Sequence, residues 1–213
     1  MSFDKKWELE IYNKGKQLNY YPFDNVVSDV SSVFKNLDVS NLNALDLGCG
    51  TGNNSKFLLD FGFKKVVGVD GSSSALKIAR ARIHNKKCQF IKSNFNTMKF
   101  NKNYYDLILD RGSLTHNSKI QIKKTIAKSL NSLRNKGIFI SHMFNKKHTE
   151  FQRKSFFKKS MKLRKPISAS FFDKSEIIKL FNSFRILSIK ESNKKELKTQ
   201  YNESFWHIIC QKK

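Results

Sequence analysis

Three glycines follow a carboxylate at the end of an apolar run. In ALDLGCGTGNNSKFLLDFG, residues 44–62, Asp46 precedes Gly48, Gly50 and Gly52. Glycines between a strand and a helix let the backbone come close to a ligand, and the start of the helix offers unpaired N–H groups. That is a nucleotide-holding arrangement, and its details choose among nucleotides. A Walker-type phosphate loop ends in Gly-Lys-Ser/Thr, whereas Gly52 is followed by Asn53 and Asn54. A dinucleotide fingerprint puts its third glycine three places after the second, but Gly52 is two places after Gly50. A carboxylate at the lip of the strand would repel a pyrophosphate and suit a cation.

A second acid extends the pattern. KKVVGVDGSS, residues 64–73, carries an apolar run to Asp70 and Gly71. Asp70 stands ~20 residues after the glycine turn, where a carboxylate accepts from both ribose hydroxyls. NAD shares that ribose contact, so Asp70 indicates adenosine and Asp46 chooses the cationic end. S-adenosylmethionine carries adenosine, a sulfonium and an ammonium, and satisfies both acids. Cys49, Asn53 and Gly71 adjoin these positions and join the expected cofactor wall. The other cysteines, Cys88 and Cys210, are far away in sequence. The three form no disulfide framework and have no metal-ligand spacing, so no metal site is expected.

These residues need a sheet to position them. FDNVVSDVSSVFKNL, 23–37, places its apolar residues on one helical face. It belongs to an N-terminal helical region, 1–40. NALDL reads as a buried strand and NNSKFLLDFG as a helix ended by Gly62. KKVVGVDG is a second strand, and Ser72, Ser73 and Ser74 offer N-caps for the helix in SALKIARARIHN. CQFIKSNF and YYDLILDRGS are strands three and four. SKIQIKKTIAKSLNSLRNKG is a long helix closed by Gly137, and IFISHMF is strand five. Strands separated by helices predict an α/β parallel sheet with helices on both faces. FFDKSEIIKLFNSF follows as a helix capped near Asp173 or Ser175, and RILSIKES with FWHIICQKK forms an antiparallel hairpin at the end of the sheet. The lysine-rich stretch 145–166 is the candidate for a mobile insertion or lid.

LDLGCGTGNN together with VVGVDGSSSAL resembles the class I S-adenosylmethionine-dependent methyltransferases. The resemblance continues through FIKSNFNTMKF, YYDLILDRGSLTH and SLRNKGIFISHMF, covers residues 40–145 closely, and extends to the final strand pair in topology. It implies a Rossmann-like three-layer sandwich with a mostly parallel seven-stranded sheet, the last strand antiparallel. It implies a methyltransferase domain over 41–213 with 1–40 as a cap. Asp46, Gly48, Gly50 and Gly52 would surround the methionine part and Asp70 would hold the ribose. Asn94 and Phe95 would flank the adenine. Asp110 and Arg111 would face the methionine part or the substrate from the end of strand four. Asn94 stands where the family often has Asp, and its carbonyl oxygen can still accept from the adenine amino group.

Methyl transfer from a sulfonium asks the protein mainly to position the nucleophile and control its proton. Histidine is the usual base near neutral pH. His116, just past strand four, and His142, at the end of strand five, are the catalytic candidates. Trp7, Tyr12, Tyr20 and Tyr21 would line a cover that contacts the substrate. The Asn/Asp-Pro-Pro-Tyr/Phe run of base-modifying enzymes is replaced by DRGSL. The net charge of +24, from 41 basic and 17 acidic residues, admits a polyanion. The bases are mostly Lys, however, and the composition is that of an AT-rich genome, whereas Arg is favoured for phosphate and base recognition. The expected partner is a small-molecule acceptor, with nucleic acid disfavoured. An RNA or protein methyltransferase, a non-catalytic cofactor-binding module and an aminopropyl transferase are the alternatives. No apolar run approaches the ~20 residues of a membrane span, so a cytoplasmic protein without membrane contact is expected.

Overall fold

In the computed structural model, which describes residues 4–154, 157–158, 161–163 and 166–213, α1 (Asp24–Phe34) precedes a regular α/β unit. That unit runs β1 (Asn43–Leu47), α2 (Asn53–Phe61), β2 (Lys65–Asp70), α3 (Ser73–Arg82), β3 (Cys88–Lys92), β4 (Tyr105–Arg111), α4 (Lys119–Ser132) and β5 (Leu133–Phe144). After a short α5 (Thr149–Gln152) come α6 (Lys174–Leu180), β6 (Phe184–Lys195) and β7 (Asn202–Lys212). The caps follow the local sequence. Gly62 ends α2 at φ 111°, Ser72 accepts from the Ala75 N–H, and Asp173 with Glu176 makes a capping box on α6.

The seven strands lie in the order β3-β2-β1-β4-β5-β7-β6. β1 to β5 are parallel, and β7 is antiparallel to both of its neighbours. The terminal hairpin is therefore threaded inward. β7 is buried from Ser204 to Cys210 and takes the inner place, while β6 ends in the exposed, lysine-bearing edge Ser192–Lys195. A continuous apolar strand suits the inside of a sheet, and a charged one suits its edge.

Alternating strand residues feed two cores. Leu45, Leu47, Ile108 and Phe139 pack with Ile122 and Ile126 of α4, Ile177 of α6 and the adjoining Phe181. Ala44, Leu107, Leu109, Ile138 and Ile140 pack with Val26 and Val30 of α1 and Leu58 of α2. Each fully buried leucine or isoleucine contributes about 2 kcal/mol of apolar transfer. These two cores make the three-layer, Rossmann-like sandwich.

One boundary differs from the sequence reading. The helix expected to close at Gly137 stops at Ser132. Leu133 is wholly buried in the sheet core, turns extended at φ −70° and ψ 141°, and pairs with Tyr105. Gly137 then serves close approach rather than helix capping, because a Cβ there would lie 2.9 Å from the Arg134 carbonyl oxygen.

The N-terminal segment crosses the C-terminal edge of the strands as a π-helical turn, Trp7–Ile11, and a 3-10 turn, Tyr12–Lys14. Glu8 accepts from the hydroxyls of Ser72 (2.5 Å) and Ser74 (2.7 Å). Arg82 donates to the carbonyls of Asn19 and Tyr20. Lys6 reaches the Pro166 carbonyl, and Ile11 packs on Leu163 and Ile167. Residues 155–156, 159–160 and 164–165 of the expected insertion lie outside the described residues. Among the described residues no helix is long and apolar enough to cross a membrane.

Candidate active site

The glycine turn is tied to β2 by backbone bonds. The N–H groups of Gly48 and Cys49 donate to the Val69 carbonyl at 2.8 and 3.1 Å. The Gly50 N–H donates to Asp70 Oδ2 (2.9 Å), and the Ser72 N–H donates to Asp70 Oδ1 (2.8 Å). Gly48 and Gly50 sit at φ 68° and 53°. A Cβ on Gly48 would come within 2.2 Å of Ser113 Cβ, and one on Gly50 within 2.8 Å of Tyr12 Oη. Only glycine fits both places.

A cavity of about 240 Å³ opens over this turn. It lies at the C-terminal ends of β1, β2, β4 and β5, where the strand order reverses, which is where open α/β sheets bind ligands. One part of its wall comes from Gly48, Cys49, Gly50, Asn53, Asp70, Gly71, Asn94 and Phe95. Asp70 accepts one backbone N–H on each oxygen and retains lone pairs for two further donors. That acceptor set, beside a turn open to close backbone approach, fits the ribose of an adenosine cofactor. The Asn94 Oδ1 accepts from the Asn96 N–H.

The other part of the wall is aromatic. Trp7, His116, Phe144, His148, Phe157 and Phe205 line it, with Arg111 and Glu203. Phe144 and Phe205 stand on β5 and β7, three and four strands from β2, or about 14–19 Å at ordinary strand spacing. The Arg111 guanidinium lies between the rings of Phe23 (4.2 Å) and Phe205 (4.3 Å). Burial lowers its pKa, and its Nε has no hydrogen-bond partner among the described residues.

Two histidines in this half hold opposite tautomers. His116 Nδ1 lies 3.1 Å from the Ser168 carbonyl oxygen. A carbonyl only accepts, so Nδ1 carries the proton and Nε2 carries the lone pair. His148 Nδ1 accepts from the Glu150 N–H at 3.1 Å and caps α5, so its proton is on Nε2. Burial pushes both imidazoles down to about 4, which keeps them neutral at physiological pH.

Trp7, Tyr12, Gly48, Cys49, Gly50, Asn53, Asp70, Gly71, Asn94, Phe95, Arg111 and His116 thus meet around one cavity, as their sequence reading expects of a site. Six other candidates stand outside it, and each has a physical reason. Asp46 is 1% exposed and accepts from the Ser55 hydroxyl at 2.7 Å, holding α2 to β1. Burial, with neighbouring Asp70 and Asp110 adding repulsion, pushes its carboxyl up to about 7. Gly52 caps α2 and would place a Cβ about 3 Å from Ile83, Ala79 and Phe90. Asp110 is wholly buried and accepts from the Ser113 and Leu114 N–H groups and the Ser141 hydroxyl, which shapes the turn leading to His116. Tyr20 and Tyr21 are 59% and 85% exposed, and the Tyr20 ring lies under Arg82.

His142 is also withdrawn. It is fully buried, and its Nε2–H donates to Asp29 Oδ2 at 2.9 Å, with His207 Nδ1 3.4 Å from the same oxygen. Burial pushes His142 down to about 4. Burial works against ionisation of Asp29, but the hydrogen bonds from His142 and His207 outweigh it and hold the carboxyl well below its usual range. The group ties α1 to β5 and β7. It brings three potential ligand atoms within 4.8 Å from positions that no spacing rule connects.

Sequence reasoning missed His148, Phe144, Phe157 and Phe205. The only signal for His148 was a histidine just beyond the end of strand five.

Comparison with known proteins agrees with this fold. A family model described as a methyltransferase domain matches residues 44–137. No curated protein is matched by the sequence. Among solved structures, the N-methyltransferase NodS from Bradyrhizobium japonicum, in complex with S-adenosyl-L-homocysteine, superposes with a TM-score of 0.72 at 14% identity, covering 98% of this chain and 97% of that one. An S-adenosylmethionine-dependent methyltransferase from Anabaena variabilis gives 0.71 at 20% identity, covering 98% and 94%. One from Methanosarcina mazei gives 0.67 at 20% identity, covering 81% and 93%. The chain thus has the Rossmann-like fold of these enzymes, and residues 44–137 match a methyltransferase domain.

Proposed function

We propose that the chain is a class I methyltransferase that transfers a methyl group from S-adenosylmethionine to a small-molecule acceptor, with His116 as general base and residues 1–40 as a cap over the domain formed by 41–213. One observation carries the reading. The cavity that begins at the glycine turn and Asp70 continues into an aromatic half containing His116, whose Nδ1 proton is held by the Ser168 carbonyl and whose Nε2 keeps its lone pair. Asp70 would accept from the ribose hydroxyls, and Asn94 and Phe95 would flank the adenine. The bound cofactor supplies a methyl group already activated on a sulfonium. His116 Nε2 takes the acceptor's proton, and the Ser168 carbonyl holds its tautomer. Trp7 and Phe157 exclude water from the reacting end.

The net charge of +24 favours a second reading, a polyanionic acceptor. The test is transfer of labelled methyl from S-adenosylmethionine in a cell extract separated into metabolite, RNA and protein fractions. Label in the metabolite fraction is expected, together with binding of S-adenosylhomocysteine by calorimetry. Label confined to RNA or protein would overturn the small-molecule reading.

A further inference from the structure

We propose that His116 and His148 act as an acceptor–donor pair that selects a neutral hydroxyl on a flat apolar molecule, so that the transfer is O-methylation. The inference rests on the small-molecule reading above and makes His148 a further specificity-determining residue.

The two imidazoles share one aromatic wall and offer complementary groups, a lone pair on one and an N–H on the other. Both imidazoles pack on the same two rings. His116 lies 5.3 Å from Phe144 and 5.7 Å from Phe157, and His148 lies 5.2 and 5.6 Å from them, centroid to centroid. Both line the cavity. His148 is 1% exposed, yet its Nε2–H has no hydrogen-bond partner among the described residues. An N–H donor in the wall of a cavity is open to a ligand acceptor. The His116 Nε2 lone pair calls for a ligand donor. One backbone carbonyl and one backbone N–H fix these roles, so they do not interchange.

A hydroxyl is both donor and acceptor and answers both calls with one atom. An ammonium only donates, would face the His148 N–H, and would bury a charge among phenylalanines, and a neutral aniline spreads its nitrogen lone pair into the ring and accepts poorly. A carboxylate only accepts and would meet the His116 lone pair. A thiol donates weakly. The Trp7, Phe144, Phe157 and Phe205 side chains favour a planar apolar body for the acceptor.

The chemistry balances. The hydroxyl oxygen forms the new O–CH3 bond while the S–CH3 bond breaks, and the bonding pair stays on sulfur, leaving a neutral thioether. The O–H proton moves to His116 Nε2 and then to water. A weak base suffices, because the O–H becomes strongly acidic as the oxygen gains the methyl group.

The test uses the full chain saturated with S-adenosylhomocysteine and four matched probes: para-ethylphenol, para-ethylaniline, para-ethylbenzoate and ethylbenzene. Calorimetry should show para-ethylphenol binding about tenfold tighter than each of the others, the worth of one to two good hydrogen bonds. With S-adenosylmethionine instead, the phenol should yield its methyl ether. His148→Asn keeps an oxygen to cap α5 and removes the ring N–H. It should erase the phenol preference while leaving melting temperature and S-adenosylhomocysteine affinity unchanged. Equal binding of ethylbenzene, binding of no probe, or an unchanged preference in His148→Asn would overturn the pair. Failure of S-adenosylhomocysteine to bind the wild-type chain would instead overturn the placement of the cofactor.

Discussion

The two halves of the cavity are built in opposite ways. The half proposed for the cofactor comes from short turns directly after β1 and β2 and from the segment after β3. Of its key contacts on Asp70, the Gly50 N–H bridges adjacent strands and the Ser72 N–H comes from two residues further along the chain. The acceptor half gathers Trp7 from the N-terminal turn, His116 from beyond β4, Phe144 and His148 from the end of β5, and Phe205 from β7. One half is written in local sequence and the other in long-range packing. The two halves should therefore respond separately to substitution.

Asp70→Ala gives the largest expected effect. It removes two charge-assisted hydrogen bonds, at about 2 kcal/mol each, so S-adenosylhomocysteine affinity should drop about 10³-fold by calorimetry. If the affinity changes less than tenfold, Asp70 does not hold the ribose. His116→Gln should do the converse: about hundredfold slower methyl transfer, with S-adenosylhomocysteine affinity within about twofold of wild type. A parallel loss of cofactor affinity would join the halves that the fold keeps apart.

Asp46 gives a smaller effect that depends on pH. Its buried carboxyl, pushed up to about 7, is protonated below that pH and ionised above it. Asp70 and Asp110 face it and repel its charge. Ionisation places a negative charge beneath the cavity, which favours the sulfonium of S-adenosylmethionine over the neutral thioether of its product. The ratio of the two affinities should therefore rise about threefold from pH 6 to pH 8, a modest through-space effect. It should stay flat in Asp46→Asn, and an unchanged slope there would assign the effect to Asp70 or Asp110. Tyr21→Ala should be nearly silent, within about twofold in binding and turnover, because the ring is 85% exposed and outside the cavity.

What was legible in the sequence follows the same division. The succession of strands and helices up to β5, the caps at Gly62, Ser72 and Asp173, and the meeting of the glycine turn with Asp70 depend on neighbours in sequence or on adjacent strands. The inward place of β7 depends on the burial of a whole strand, and the early end of α4 depends on Leu133 finding the sheet core. Asp46 looked like a ligand because a carboxylate before a glycine turn has no visible partner in one dimension, but Ser55, one helical turn into α2, takes it. His142 was chosen for its place at a strand end. Strand alternation turned it toward Asp29 on α1, while His148, four residues past the strand in an irregular segment, lines the cavity instead.

The neutral pair of opposite tautomers is the point on which the acceptor half turns, and long-range proton–nitrogen NMR of the imidazole rings tests it most directly. At pH 7, His116 should show its proton on Nδ1 and His148 on Nε2, each neutral down to about pH 5. Asp4 opposes the lowering at His116, His148 reinforces it, and Glu150 opposes it at His148. The same tautomer on both rings, or an imidazolium at pH 7 on either, would contradict it.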